Sequence, residues 1–174
     1  VYMTGSTLNT FAQDDINEME KALGSLPSSV RIVVSWDQPA GGANYATGNG
    51  SQAAWKTYGR SVLTADSNMS SIASRFDLSF GERNTGDPGT LVDFVKWGVE
   101  RAPAQHYVLQ MWGHGGGFVG SQFDSESGGD AMTIGDMTTA LGVPGMPTMD
   151  VVAYDNCLMG MAEVVAAILS LIHI

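Results

Sequence analysis

The chain has 174 residues, of which 44% are hydrophobic, and a formal net charge of −10, so it is long enough for one domain with a buried core. The acidity argues against nucleic acid, whose phosphates are neutralised by Lys and Arg; it favours cationic partners or serves solubility alone. The apolar runs are far shorter than the roughly 20 residues of a membrane-spanning helix, so no membrane association is indicated.

The N-terminal half of the sequence predicts strands, a helix and loops from the spacing of its apolar residues. In chain order we predict a strand at residues 1–3, a helix at 14–23, a buried strand at 30–36, a loop at 38–53 and an irregular hairpin at 55–64. Asp14 or Asp15 is the predicted N-cap of the helix, since aspartate accepts hydrogen bonds from the first free N–H groups. The strand at 30–36 is apolar and β-branched, which is typical of a buried strand.

The C-terminal half alternates helices with buried strands. In chain order we predict a helix at 90–101, a strand at 106–112, a polar Gly-rich loop at 118–130, a helix at 133–141, a strand at 150–154 and a helix after Cys157. Thr90 is the predicted N-cap of the first of these helices. Strands that are apolar on both faces and alternate with helices indicate an α/β domain whose mostly parallel sheet is covered on both sides.

Two reactive side chains directly follow buried strands. His114 comes after the strand at 106–112, and Cys157, the single cysteine, comes after the strand at 150–154. The carboxyl ends of parallel strands lie along one edge of a sheet, where such folds bind ligands. We therefore expect both residues at the same edge. A buried structural thiol and an ordinary loop histidine are the alternative interpretations.

The two side chains together predict nucleophilic catalysis. Attack of a cysteine on an amide requires a thiolate, a proton donor for the leaving amine and N–H donors for the developing oxyanion. The predicted helix after Cys157 would stabilise the thiolate with its N-terminus, and His114 would supply the proton. The backbone N–H groups at Gly115 and Cys157 would face the substrate carbonyl, because glycine allows close approach to the backbone.

The sequences around these residues resemble the signature blocks of a known family. Trp112-Gly113-His114-Gly115-Gly116-Gly117-Phe118 and Tyr154-Asp155-Asn156-Cys157-Leu158-Met159-Gly160 resemble the two blocks of the clostripain family of cysteine peptidases. Other segments resemble the family in its own order, namely Tyr2–Ser6, Asp15–Met19 and Gly86–Leu91. The resemblance covers nearly the whole chain and implies a caspase-like three-layer α/β sandwich with a mostly parallel central sheet.

The resemblance also implies an activity and the residues that carry it. It implies a cysteine endopeptidase that cleaves polypeptides after Arg or Lys through a thioester acyl-enzyme, with His114 and Cys157 as the catalytic pair. Gly115 and Cys157 then form the oxyanion hole with their backbone N–H groups. Asp155 corresponds to the acid of the primary specificity pocket, where a buried cation requires a charged partner. A cap on the following helix is the other interpretation of Asp155.

The sequence departs from the family in two respects. Many members cut themselves after a basic residue between the histidine and the cysteine, whereas here all eight Lys and Arg lie at or before Arg101. Self-cleavage with basic specificity is therefore not available between residues 118 and 147. The family fold also continues past the helix after the nucleophile. We therefore expect residues 1–174 to be one partial peptidase domain that lacks further C-terminal strands and is incomplete as an enzyme.

Further expectations concern cofactors, partners and location. The resemblance implies a monomer that requires no cofactor and is secreted or periplasmic, although no signal peptide is visible in the chain. Calcium is a candidate ligand, because Asp124, Glu126 and Asp130 form an acidic loop and the family resemblance suggests this ion. Their spacing is not that of an EF-hand, and a solvated acidic loop is the alternative. His114 and Cys157 lack the paired spacing of metal ligands.

Other functions fit parts of the pattern. A non-catalytic caspase-like binding module is one alternative, although such modules usually lose one member of the catalytic pair. The run from His114 to Gly117 also matches the oxyanion loop of α/β-hydrolase esterases, but no serine has the required G-x-S-x-G setting. The spacing of Gly115, Gly117 and Gly120 fits a dinucleotide fingerprint, which requires a helix that opens on it.

Overall fold

The computed structural model describes residues 1–39 and 55–169, so most of the predicted loop at 38–53 lies outside the described residues. The helices are α1 (Asn9–Leu23), α2 (Pro88–Arg101), α3 (Ile134–Leu141) and α4 (Ala162–Ile168). The strands are β1 (Tyr2–Met3), β2 (Val33–Asp37), β3 (Tyr58–Val62), β4 (Val108–Trp112), β5 (Ser121–Asp124), β6 (Asp130–Met132) and β7 (Val151–Asp155). In the described ranges, no helix is both long enough and apolar enough to cross a membrane.

Five strands form the central sheet in the order β3-β2-β1-β4-β7. β1 pairs in parallel with β2 and with β4, β4 pairs in parallel with β7, and β3 is antiparallel to β2. The carboxyl ends of β1, β2, β4 and β7 therefore share one edge of the sheet. Within the described part of the chain, the outer side of β7 has no partner strand.

Helices cover both faces of this sheet and form two hydrophobic cores. Tyr2 and Met3 are adjacent on β1 and point to opposite faces, as the period of a strand requires. The core on one face joins α1 to the sheet and includes Met3, Ala12, Ile16, Val34, Trp36 and Trp112. The core on the other face joins α2, α3 and α4 and includes Tyr2, Leu91, Phe94, Met111, Met137, Val164 and Ile168. The predicted three-layer sandwich with a mostly parallel sheet is confirmed.

Two segments differ from their predicted structure. Residues 55–64 contain the single strand β3 rather than a hairpin, and its partner is β2. The predicted loop at 118–130 contains a short 3-10 helix and the antiparallel pair of β5 and β6. The strand signal was missing because β5 is polar yet buried: the Gln122 amide donates to Thr4 Oγ1 at 2.5 Å and to Tyr2 O at 3.2 Å.

Three helices begin elsewhere than predicted. α1 begins five residues early at Asn9, so Asp14 and Asp15 lie inside it and are not its caps. α2 begins at Pro88, because Asp87 accepts a hydrogen bond from Gly89 N and Pro88 suits the first helical position. The helix after Cys157 begins only at Ala162, with a turn in between.

Candidate active site

The sheet brings the turns that carry His114 and Cys157 to one edge. His114 follows β4 and Cys157 follows β7, which are neighbouring parallel strands. Their register pairs Trp112 with Asp155, so both strands end at the same level. Gly113 N then donates to Asp155 O at 3.2 Å, one step beyond the ladder.

Gly115 lets these two turns touch. A Cβ added at Gly115 would collide with the backbone carbonyl oxygen of Cys157 and would lie 3.0 Å from Asn156 Cβ. The position therefore requires a glycine for close approach of two backbones rather than for a positive φ. The consequence is direct contact between the turn that follows His114 and the turn that contains Cys157.

The side chain of Asn156 connects the cysteine turn to the turn that carries His114 by hydrogen bonds. Its Nδ2 donates to His114 O at 3.2 Å and to Gln122 Oε1 at 2.9 Å. The backbone on the other side of the cysteine is strained, since Leu158 has φ 63°, a conformation that costs free energy for a residue with a branched side chain. The cysteine turn is thus held in a specific shape by its neighbours.

A residue that the sequence did not single out contacts the histidine ring. Thr7 Oγ1 lies 2.8 Å from His114 Nε2, and Thr7 belongs to the turn between β1 and α1. Since the hydroxyl engages Nε2, Nδ1 is the ring nitrogen left for a reacting group. An exposed threonine in a polar turn carries no sequence signal of its own, and only the parallel pairing of β1 with β4 brings it to His114.

Cys157 is exposed and unpaired. The prediction that a helix directly follows Cys157 is wrong: α4 begins at Ala162 with Met161 at the N-cap. The turn at 156–160 separates the sulfur from that helix.

Two carboxylates lie near the cysteine turn. Asp155 is the exposed last residue of β7, and it does not cap α4, so the cap interpretation of Asp155 is wrong. Asp15 on α1 accepts a hydrogen bond from Trp112 Nε1 at 2.7 Å. Burial and the charge of Asp155, with smaller contributions from neighbouring acids, raise the pKa of Asp15 against that hydrogen bond. Asp15 was missed as a site residue because it is remote from Cys157 in the sequence.

The acidic residues predicted as calcium ligands do not lie in one group. Asp130 instead accepts a hydrogen bond from Asn84 Nδ2 at 2.6 Å. In residues 1–39 and 55–169, the one group of three potential ligands within 4.8 Å of one another is Asp37, Glu82 and Asp124. Burial, followed by the charges of Glu82, Asp124 and Glu126, raises the pKa of Asp37 to about 9.

Two solved structures share this fold. A secreted C11 cysteine protease from Bacteroides thetaiotaomicron, solved in complex with an irreversible peptide inhibitor, superimposes with a TM-score of 0.73 at 24% identity, over 94% of this chain and 43% of that chain. An inactive zymogen C11 protease from Parabacteroides distasonis gives a TM-score of 0.66 at 20% identity, over 95% of this chain and 43% of that one.

The sequence comparisons agree with the structural ones. Clostripain from Hathewaya histolytica is 32% identical over 97 residues, which is 48% of this chain and 18% of that protein. The chain thus spans less than half the length of each of these relatives. The model of the clostripain family matches residues 1–171. On this match over almost its whole length, the chain belongs to the clostripain family.

Proposed function

We propose that this chain carries the catalytic pair of a cysteine endopeptidase, with Cys157 as nucleophile and His114 as general acid and base. The observation that supports it most is the contact between the two turns at Gly115, which holds His114 and an exposed thiol at one edge of the sheet. The clostripain family and the C11 cysteine proteases of the same fold support the same reaction class.

The reaction follows from these groups in two steps. The Cys157 thiolate attacks the scissile carbonyl, and the backbone N–H groups of Gly115 and Cys157 stabilise the oxyanion. His114 donates a proton to the departing amine as the C–N bond breaks, which leaves a thioester on Cys157. His114 then takes a proton from water, whose oxygen attacks the thioester; the C–S bond breaks and releases the acid and the Cys157 thiolate, with His114 protonated as at the start.

In this mechanism the thiolate is stabilised by His114 rather than by a helix. The helix after the cysteine begins at Ala162, so its N-terminus is not adjacent to the sulfur. A protonated imidazole favours the thiolate form of a neighbouring cysteine through the attraction of opposite charges. With Nε2 engaged by Thr7 Oγ1 at 2.8 Å, Nδ1 is the nitrogen that we assign to proton exchange with the sulfur and the leaving amine.

We assign the choice of substrate to the negative charge at the end of β7. Asp155 lies two residues before the nucleophile and is exposed at the edge where a peptide would bind. Asp15 adds a second carboxylate to this region. Burial and, to a smaller extent, the negative charge of Asp155 raise the pKa of Asp15. A cationic side chain before the cut would relieve this repulsion, which favours Arg and Lys as the recognised residues.

The proposed specificity has a consequence for maturation. No Lys or Arg lies between His114 and Cys157, so an enzyme specific for basic residues cannot cut itself there. We therefore expect the active protein to stay continuous from His114 to Cys157. We also propose that it acts outside the cytoplasm, since a relative of the same fold is a secreted protease.

Alkylation of Cys157 tests the catalytic pair directly. In the full-length protein at neutral pH, iodoacetamide should label Cys157 several-fold faster in the wild type than in His114→Ala, as followed by mass spectrometry, because the imidazole favours the reactive thiolate. Equal labelling rates in the two proteins would identify a binding module with an inert thiol instead.

A further inference from the structure

Gln122 has a backbone conformation that a glutamine rarely adopts. Its φ is 58°, in the left-handed region that costs free energy for a residue with a Cβ. Gln122 lies in β5, at the irregularity in the pairing of β5 with β6, and is completely buried. Strain of this kind persists only where the surrounding structure imposes it, and it is concentrated at functional sites. The contacts that hold Gln122 lead to the two turns of the proposed catalytic pair.

The backbone of Gln122 binds the turn that carries His114. Gln122 N donates to His114 O at 3.1 Å, next to an antiparallel bridge between Gly115 and Ser121. Because the hydrogen bond flanks this bridge, Gly115 is at a non-hydrogen-bonded position, where the N–H group points away from the paired segment. The start of β5 therefore holds the histidine turn while it leaves the Gly115 N–H group for the role in the oxyanion hole that we propose.

The side-chain amide of Gln122 joins three neighbouring strands of the central sheet. Its Nε2 lies 2.5 Å from Thr4 Oγ1, 3.2 Å from Tyr2 O and 3.3 Å from Trp112 O. Tyr2 and Thr4 belong to β1 and to the turn after it, and Trp112 is the last residue of β4. Its Oε1 accepts from Nδ2 of Asn156, which follows β7, at 2.9 Å. One buried amide thus connects the carboxyl ends of β1, β4 and β7.

Asn156 completes a closed set of hydrogen bonds between the two turns. Its Nδ2 donates both to Gln122 Oε1 and to His114 O, the latter at 3.2 Å. His114 O therefore accepts from the side chain of Asn156 and from the backbone of Gln122, and these two donors are themselves hydrogen-bonded. Because Asn156 directly precedes Cys157, a displacement of the Gln122 amide would move the turns of both catalytic residues.

We propose that Gln122 is a positioning residue that sets the placement of His114 relative to Cys157. This inference rests on the function proposed above. Gln122 is buried, so it acts through Asn156 and the backbone of His114 rather than by contact with a substrate. A glycine would adopt the left-handed conformation without strain but has no amide. The position therefore keeps a strained backbone because the hydrogen bonds of its side chain are needed.

Gln122→Gly and Gln122→Ala together separate positioning from stability. Both variants remove the amide, but only glycine relieves the left-handed backbone, so Gln122→Gly should have the higher Tm of the two. In the full-length protein, kcat for a chromogenic peptide that the wild type cleaves should fall by about tenfold or more in both variants, because small displacements of reacting groups are costly. KM should stay within about twofold, since Gln122 does not contact the substrate.

Two further variants complete this experiment. Gln110→Ala is the matched control, because Gln110 is a half-buried glutamine within β4 and its loss should leave kcat unchanged. Asn156→Ala removes the other partner of the bond to Gln122 Oε1. Since either change breaks the same bond, kcat in the double variant Gln122→Gly/Asn156→Ala should fall by much less than the product of the two single losses. A loss equal to that product would overturn the route through Asn156.

The outcomes distinguish this proposal from the proposed catalytic pair. If kcat follows the Tm, so that Gln122→Gly is nearly as active as the wild type, Gln122 has a structural role alone and the proposal is overturned. The same holds if both Gln122 variants match Gln110→Ala while Cys157→Ala is inactive, and the catalytic pair then stands without it. Hydrolysis that persists in Cys157→Ala would instead refute the nucleophile, and the role of Gln122 with it.

Discussion

Thr7 Oγ1 lies 2.8 Å from His114 Nε2, although the two residues are 107 positions apart in the chain. The contact joins the turn after β1 to the turn after β4, and it exists because these strands are parallel neighbours. A hydroxyl at this nitrogen holds the imidazole ring in one orientation. Thr7 is therefore a positioning residue for the proposed general acid.

Replacement of Thr7 tests that role. Thr7→Val keeps the shape of the side chain but removes the hydroxyl. A hydrogen bond contributes about 0.5–1.5 kcal/mol, so its loss from the transition state should lower kcat by about two- to tenfold. Thr7→Ser should restore activity, and the acid limb of the pH–rate profile should move in Thr7→Val only. An unchanged pH profile and kcat in Thr7→Val would show that the contact has no catalytic role.

The contact at Gly115 predicts a severe effect from a single methyl group. Gly115→Ala should push the two turns apart, because its Cβ would collide with Cys157 O, and overpacking of this kind costs about 1–3 kcal/mol. We expect a lower Tm and a loss of activity of at least about tenfold. Gly160→Ala is the matched control, since a Cβ there meets nothing within 4 Å. Equal behaviour of the two variants would contradict the contact.

Cys157→Ala should abolish peptide hydrolysis in the full-length protein while it leaves the fold intact. The side chain is exposed, so its removal creates no cavity, and an unchanged Tm would separate a chemical from a structural effect. Hydrolysis of a chromogenic peptide ester or amide is the measurement. Residual activity within about tenfold of the wild type is far above what an enzyme without its nucleophile retains, and it would refute the assignment.

Asp155→Asn tests the proposed specificity. It should lower kcat/KM for substrates with Arg before the cut by at least about tenfold, with much less effect on a neutral residue at that position. Because solvent screens an exposed carboxylate, we expect the loss to lie near tenfold rather than far above it.

Asp15→Asn distinguishes direct recognition of the basic side chain by Asp155 from the combined negative charge of the surrounding carboxylates. Asp15 lies on α1 and accepts a hydrogen bond from Trp112 Nε1, so its neutralisation should reduce the preference for Arg less than Asp155→Asn does. If Asp155→Asn retains the full preference, the acid that recognises the basic side chain lies elsewhere in the protein.

The sequence predicts the parallel strands of the sheet better than the loops and the ends of the helices. The apolar runs that precede His114 and Cys157 identify two of these strands, since strands inside a covered parallel sheet form continuous apolar runs. The pair of β5 and β6 escapes detection because Gln122 and Asp124 are buried through hydrogen bonds rather than through apolar surface. The start of α4 differs from the prediction because the turn at 156–160 contains no proline and no side chain caps the helix, so the sequence does not mark its first residue.

The parts of the candidate sites that escaped prediction share a physical reason. Thr7 lies in the turn after β1 and Asp15 lies inside α1, and both are remote in sequence from His114 and Cys157. Only the order of the strands in the sheet brings these residues to the same edge. The roles of His114, Cys157, Gly115 and Asp155 remain predictions, although their locations follow directly from the pairing of β4 with β7.

Among the described residues no strand pairs with the outer side of β7, and this edge makes the domain prone to self-association. A row of free backbone N–H and C=O groups attracts any extended chain, and the exposed side chains of Val108 and Val151 on the two outermost parallel strands add apolar surface. Residues 1–174 produced alone should therefore associate edge to edge and precipitate as their concentration rises. Val151→Lys would place a charge in that path, which makes it a practical first change for anyone who purifies this piece by itself.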